Sequence, residues 1–99
     1  MTFDELRETF EKNHDNFLKQ PRVDDPRPSK RLDLCAFLRL EKMFPERTRD
    51  MVCAAAHDEI WLDVDVDELA AVATEEDVEY LVRCGVRLDA DAPGLAMFV

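Results

Sequence analysis

The sequence has only two glycines among 99 residues and no uncharged apolar run near the ~20 residues of a membrane-spanning helix. Its first residues, MTFDELRETFEKN, lack the basic start and apolar stretch of a secretory signal. No phosphate-binding glycine loop and no Gly-x-Ser-x-Gly nucleophile motif are present. These absences argue against several common classes of enzyme and membrane protein. We expect a single domain, residues 1–99, in the cytoplasm.

Cysteine is also scarce. Cys35, Cys53 and Cys84 are an odd number, widely spaced and without a CxxC pair, so free thiols in a reducing compartment are expected. Cys53 and His57 have the i, i+4 spacing of two ligands on one helical face. Zinc needs about four ligands, however, and there is no second pair. The cysteines are better interpreted as small core residues, and no metal or cofactor is predicted.

The acidic spacing Asp63-x-Asp65-x-Asp67 invites comparison with a calcium loop. Such a loop needs glycine at its sixth position and glutamate at its twelfth, where this sequence has Glu68 and Thr74. Only two histidines are available for acid–base chemistry. We therefore predict that the protein is not an enzyme. An unrecognised small enzyme or metal protein remains an alternative, because acid–base catalysis needs only geometry.

Acidity is the main compositional feature, with 23 Asp and Glu against 13 Lys and Arg and a net charge of −10. Residues 1–50 hold 11 basic and 11 acidic side chains, whereas residues 51–99 hold 2 basic and 12 acidic ones. A half-domain of this polarity repels nucleic acid and attracts basic surfaces. The alternative is that the acids serve only solubility.

The first half is predicted to be helical. Thr2 followed by Glu5 is a capping-box pattern that opens the first helix. Residues 20–29 contain three prolines and are predicted to form a flexible linker. Residues 30–44 are apolar on more than one face, which predicts a central buried helix. A run of three alanines predicts a further helix over Arg49–His57.

The second half is predicted to combine strands and helices. Apolar residues alternate from Glu59 onward, which indicates a half-buried strand. A short helix follows over residues 67–73, and a capped helix then begins at Thr74 and ends at Gly85. The predicted strands are residues 59–66, 86–90 and 95–99. The fold class is therefore predicted as α+β, a helical N-terminal half with a three-stranded antiparallel sheet and a C-terminal hairpin.

The order strand, helix, capped helix, hairpin in residues 59–99 resembles the end of a winged-helix domain. In that family the second of the two helices enters the major groove. The corresponding segment here, Thr74-Glu-Glu-Asp-Val-Glu-Tyr80, would repel phosphates. The resemblance therefore implies a degenerate winged helix that does not read DNA and whose hairpin can serve as a protein-binding edge.

The segment Asp58–Val99 also resembles small acidic accessory proteins of bacteriophages and mobile elements. That class includes anti-CRISPR and other anti-defence proteins, some of which occupy the nucleic-acid channels of their targets. The resemblance implies an inhibitor that presents acids to a basic host protein. It carries no residue-level motif.

The predicted binding site consists of acids and one tryptophan. Trp61 would be the anchor, since tryptophan is enriched in interface hot spots. Alternatively, Phe3, Leu6 and Phe10 of the first helix cover it. The predicted protein-binding residues are Glu59, Trp61, Asp63, Asp65, Asp67, Glu68, Glu75, Glu76, Asp77 and Glu79. The expected partner is a basic protein surface, and an adaptor domain whose acidity serves solubility is the alternative.

Overall fold

The computed structural model describes residues 1–19, 28–89 and 94–98. The helices are α1 (Phe3–Lys19), α2 (Leu32–Met43), α3 (Val66–Val72) and α4 (Glu75–Arg83). The strands are β1 (Val52–Ala56), β2 (Glu59–Leu62), β3 (Arg87–Asp89) and β4 (Gly94–Phe98). The α+β class is confirmed, with one strand more than predicted. Of the predicted linker over residues 20–29, residues 20–27 lie outside the described residues.

The four strands form one antiparallel sheet in the order β1-β2-β4-β3. Leu62 of β2 lies opposite Leu95 of β4, which in turn lies opposite Leu88 of β3. Ile60 lies opposite Met97. Because side chains alternate along a strand, these five residues share one face of the sheet. We call it the inner face.

The inner face of the sheet joins the helices in a single apolar core. Helix α4 packs against both α1 and α2. Its own buried side chains lie at helical spacing on one side. The buried helical residues are Leu6 and Phe10 of α1, Cys35, Ala36 and Leu40 of α2, Leu69 and Ala70 of α3, and Val78, Leu81 and Val82 of α4. None of the described helices is both long and apolar enough to cross a membrane.

Both ends of α4 have the predicted local structure. The Thr74 hydroxyl accepts a hydrogen bond from the Asp77 backbone N–H at 3.1 Å, and the Asp77 carboxylate accepts one from the Thr74 N–H at 3.0 Å. This capping box satisfies two of the donors that a helix start leaves unpaired. At the other end Gly85 has a φ of 93°, the left-handed conformation that favours glycine at a helix stop. The Thr2–Glu5 capping box of α1 is confirmed as well.

The prediction that residues 30–44 form the central buried helix is wrong. Helix α2 buries a single face, while Leu34 and Leu38 are exposed. The apolar residues on several faces of α2 therefore do not mean that the helix is buried on all sides. Helix α4 has the more central place, since it lies against both α1 and α2.

The helix predicted over Arg49–His57 is also wrong, because Val52–Ala56 is the strand β1. It pairs with β2 through a two-residue turn, His57–Asp58, in which His57 has a φ of 56°. Turns of this kind usually contain glycine or asparagine, and neither is present to signal the hairpin. The helix propensity of alanine is a weak preference that strand pairing overrides.

Strand β2 is shorter than the predicted strand over residues 59–66. It ends at Leu62 because Asp65 begins a helix instead. The Asp65 carboxylate accepts hydrogen bonds from the backbone N–H groups of Asp67 at 2.8 Å and Glu68 at 3.1 Å. Asp65 is therefore the N-cap of α3, a role that favours a short acidic side chain. The short helix predicted over residues 67–73 is confirmed, and it begins one residue earlier, at Val66.

Replacing Thr74 with alanine should destabilise the domain by about 1 kcal/mol, because the Asp77 N–H loses its acceptor. For a domain of this size the melting temperature should fall by about 4–8 °C. Thr74→Ser keeps the hydroxyl and should melt close to the native protein. Thermal unfolding followed by circular dichroism measures both. Equal melting temperatures for the alanine and serine variants would contradict a stabilising cap.

Candidate functional site

The face of the sheet opposite the core carries Trp61; we call it the outer face. Trp61 lies in a row across all four strands, between Ala54 of β1 and Ala96 of β4, with Arg87 of β3 beyond. Its indole N–H donates a hydrogen bond to the carboxylate of Asp89. Ala96 is 0% exposed although it faces outward, since Trp61 and Arg87 flank it. Trp61 is thus half-buried: its indole packs on the sheet, and part of the ring remains exposed to solvent.

Helix α1 does not supply the cover that the alternative interpretation of Trp61 expected. Leu6 and Phe10 are buried in the core on the inner side of the sheet, and Trp61 is not part of that core. The prediction that Leu6 and Phe10 lie on Trp61 is therefore wrong. Phe3 is exposed and lines a cavity beside Leu88.

A second aromatic side chain lies on the outer face. Phe98 of β4 is 66% exposed, and the Arg87 guanidinium lies 4.3 Å from the centre of its ring. Arg87 also forms an ion pair with Glu59, which is opposite Phe98 in the sheet. Exposed aromatic rings held beside charged groups are typical of protein-binding surfaces. Sequence reasoning identified Trp61 and Glu59 but missed Phe98 and Arg87.

Strand β1 forms one edge of the sheet, and all five of its side chains are exposed. Val52 and Ala55 point to the inner face and Ala54 to the outer face, as their partners in β2 do. Exposure on both faces means that the helices do not cover this strand. The strand has no charged residue and no proline, the devices that commonly protect an edge. A bulge at Cys53 is its only irregularity.

The acids predicted as one binding field occupy several places. Around the start of α3, Asp63 lies 3.0 Å from the Arg47 guanidinium and 3.6 Å from that of Arg49. Asp65 is engaged as the helix cap. Asp67 and Glu68 are exposed on the first turn of α3.

A second group surrounds the start of α4. Glu75 forms an ion pair with Lys12 of α1. Asp77 lies 2.8 Å from the Arg39 guanidinium of α2, and Glu79 lies 2.9 Å from that of Arg83. Glu76 is exposed. The structure thus places the four acids of residues 75–79 together on α4. Glu59 and Trp61 lie apart from them, on strand β2.

Three acids of the second half, Asp63, Glu75 and Asp77, form ion pairs with bases from the first half. Arg39, Arg47 and Arg49 belong to residues 1–50, as does Lys12, yet their carboxylate partners lie in residues 51–99. Part of the negative charge of residues 51–99 is thus balanced by positive charge from residues 1–50 within the folded domain. Four of the predicted binding residues are half-buried and held in ion pairs within the domain: Glu59, Asp63, Asp77 and Glu79.

Asp77 combines a cap with an ion pair. Burial raises the pKa of its carboxyl, but hydrogen bonds from Thr74 and the Arg39 guanidinium outweigh burial and hold that pKa below its usual value. The charged form is therefore stabilised by folding. This carboxylate fixes α4 to α2 and has a structural role.

The thiols offer little chemistry. Cys35 and Cys84 are buried, and Cys53 on β1 is exposed. Burial raises the pKa of the Cys84 thiol to about 12, so it stays protonated and a poor nucleophile. Among the described residues no group of three or more His, Cys, Asp and Glu side chains is placed to hold a metal ion. Cys53 and His57 lie on a strand and its turn, not on the helix that their spacing suggested.

An apolar cavity lies between α1 and β3, with a volume of about 640 Å³. Phe3, Phe10 and Leu88 line it, together with the polar side chains of Arg7 and His14. The arrangement can accept an apolar group. Sequence reasoning did not find it, because it forms only when α1 packs beside β3.

Comparison with protein-family models, curated proteins and solved structures finds no match to this chain. The element order behind the winged-helix resemblance is present, since β2, α3, α4 and the β3–β4 pair follow one another. The resemblance therefore concerns element order alone. The site must be interpreted from its own residues.

Replacing Asp77 with asparagine should change how stability depends on pH. Because the pKa of Asp77 is lowered by folding, its contribution is present above the unfolded value of about 4 and is lost as pH falls through the folded value. The variant should be less stable at neutral pH, and its stability should fall less steeply below about pH 4. Urea unfolding at a series of pH values measures this. Parallel pH profiles for the variant and the native protein would refute the role of Asp77.

Proposed function

We propose that this protein is a non-catalytic binding domain whose partner is a basic protein surface. The observation that carries the proposal is the set of charged side chains that have no ion-pair partner within the described part of the domain. The two bases of residues 51–99, Arg83 and Arg87, are each paired with an acid of the same half. Four exposed carboxylates have no basic partner within the described part of the chain: Asp58, Asp67, Glu68 and Glu76. The described residues of this half therefore present unpaired negative charge and no unpaired Lys or Arg.

A partner that normally holds nucleic acid would have a surface of the required sign. Such surfaces are rich in Lys and Arg because they neutralise phosphates. We therefore extend the proposal to a nucleic-acid-binding host protein, which the domain would inhibit by occupying its basic surface. The phage or mobile-element origin suggested by the class-level resemblance is part of this extended proposal. The free thiols of Cys35, Cys53 and Cys84 suit a reducing cytoplasm.

The outer face of the sheet supplies the apolar part of the proposed contact. Trp61 is held in position by its bond to Asp89, and Phe98 is largely exposed on the same face. Preordered aromatic side chains lose little conformational entropy on binding and often dominate the binding energy. Replacing Trp61 with alanine should therefore weaken binding by about 2 kcal/mol or more.

Reversing the free acids should slow association. The double variant Glu68→Lys/Glu76→Lys changes two exposed carboxylates that have no basic partner among the described residues, so the fold should survive. The association rate with the partner recovered by affinity capture should fall about tenfold at low salt, and its salt dependence should weaken. Surface plasmon resonance at several salt concentrations gives both quantities.

The matched control is Glu8→Lys/Glu41→Lys, which makes the same change in net charge with exposed acids of the first half. The control should bind nearly as the native protein does. Equal binding by the native protein and both variants would mean that the acidity serves only solubility, and the adaptor interpretation would replace the proposal. Asp63 and Asp77 are unsuitable for this test, since their reversal would break the internal ion pairs.

The domain should not bind nucleic acid directly. The first turn of α4, the helix that a winged-helix domain would place in the groove, is acidic at Glu75 and Glu76. Fluorescence anisotropy with labelled duplex DNA and with RNA should show no salt-sensitive binding at micromolar concentrations. Micromolar, salt-sensitive affinity would contradict the basic-protein partner.

A further inference from the structure

We infer that the partner contributes an extended segment that pairs with β1 as a fifth strand, and that this segment has basic residues at both of its ends. The inference rests on the proposed function and deepens it by naming the form of the partner. It starts from the bare edge of the sheet, where five uncharged side chains are exposed. An unprotected edge of this kind is a template for strand addition.

The backbone of β1 has groups available for such pairing. Ala56 and Glu59 flank the two-residue turn, and in such hairpins the flanking residues form a hydrogen-bonded pair. Hydrogen-bonded and non-hydrogen-bonded pairs alternate along an antiparallel ladder. Ala55, opposite Ile60, therefore belongs to a non-hydrogen-bonded pair. Its N–H and C=O point away from β2, toward an incoming strand.

The side chains of β1 are small and uncharged, so they leave the backbone of this edge open to an incoming strand. Neighbouring strands lie about 4.8 Å apart, so an added strand would lie about 10 Å from β2. The Trp61 indole lies on the other side of β2, because it crosses Ala96 toward β3 and bonds to Asp89. The added strand would therefore be held by backbone pairing and by charge at the ends of β1.

Charge at the two ends of β1 favours a basic segment. Asp50 lies just before the strand and Asp58 just after it, and both are exposed. Neither has a basic partner within the part of the chain that the structure describes. A second copy of this chain is disfavoured as the occupant, because two molecules of net charge −10 repel each other. A segment with small or β-branched residues between two basic ends is complementary to this edge.

The test uses a synthetic nonapeptide with Lys at both ends and alternating Val and Thr between them. The native protein should bind it, with NMR shift changes concentrated at the amides of Ala54–Ala56 and slowed exchange of the Ala55 amide. Two further peptides carry N-methyl groups on every Val or on every Thr. Because only alternate amides of an added strand face β1, one of the two should lose binding and the other should keep it.

Variants of the protein provide the second arm. Ala55→Pro removes an N–H that points away from β2, a change that edge strands tolerate. It should weaken peptide binding by about tenfold or more, since backbone hydrogen bonds are lost and the ring obstructs pairing. Ala55→Val keeps the N–H and should bind within about twofold of the native protein. If Ala55→Pro fails to fold, the N-methylated peptides decide the question alone.

The outcomes separate this inference from the proposed function. Strand addition would be overturned if both N-methylated peptides bound as well as the unmodified one. It would also be overturned if the NMR shift changes fell on amides outside β1. Absence of binding at millimolar peptide would overturn it as well. In either case the basic-partner function would still stand if the captured partner remained sensitive to Glu68→Lys/Glu76→Lys. Insensitivity of that partner to the charge reversal would overturn the proposed function itself.

Discussion

Burial of α4 against α1 and α2, in the core that they share with the inner face of the sheet, is the constraint on which the structure depends. Val78 and Leu81 are fully buried, and the capping box of Thr74 and Asp77 fixes where the helix begins. The helices bury the inner face of the sheet only as far as β2. Strand β1 extends beyond them with both faces exposed. The bare edge is thus a consequence of the limited helical layer.

Electrostatics reinforce this arrangement. Two of the ion pairs that join the halves of the chain reach α4 itself, from Lys12 of α1 and Arg39 of α2. An exposed pair contributes little, but the half-buried Arg39–Asp77 pair also completes a helix cap. The carboxylate of Asp77 therefore orients α4 relative to α2. Asp63, Glu75 and Asp77, which were predicted to bind a partner, instead form ion pairs that join the two halves of the chain.

Two features of the remaining surface could contact a partner. The outer face offers Trp61 and Phe98, and the edge offers unpaired backbone groups of β1 with an aspartate at each end. The two lie on opposite sides of β2, because the indole crosses Ala96 toward Asp89 of β3. A partner strand at the edge would use backbone hydrogen bonds for affinity and the aspartates for specificity. The free acids of α3 and α4 would mainly accelerate its approach.

Local patterns in the sequence determined the α+β class, the two capping boxes, the stop at Gly85 and the C-terminal hairpin, because each depends on residues close together along the chain. The sequence also singled out Trp61 and the acids as candidate site residues. Only the tertiary structure decided that Val52–Ala56 is a strand, that Asp65 is a helix cap, and which acids are paired. Strand pairing and ion pairs join residues far apart in sequence, and their energies exceed the weak local preferences of alanine and of alternating valines. Phe98, Arg87 and the free edge of β1 became visible for the same reason, since each acquires its role from neighbours on other strands.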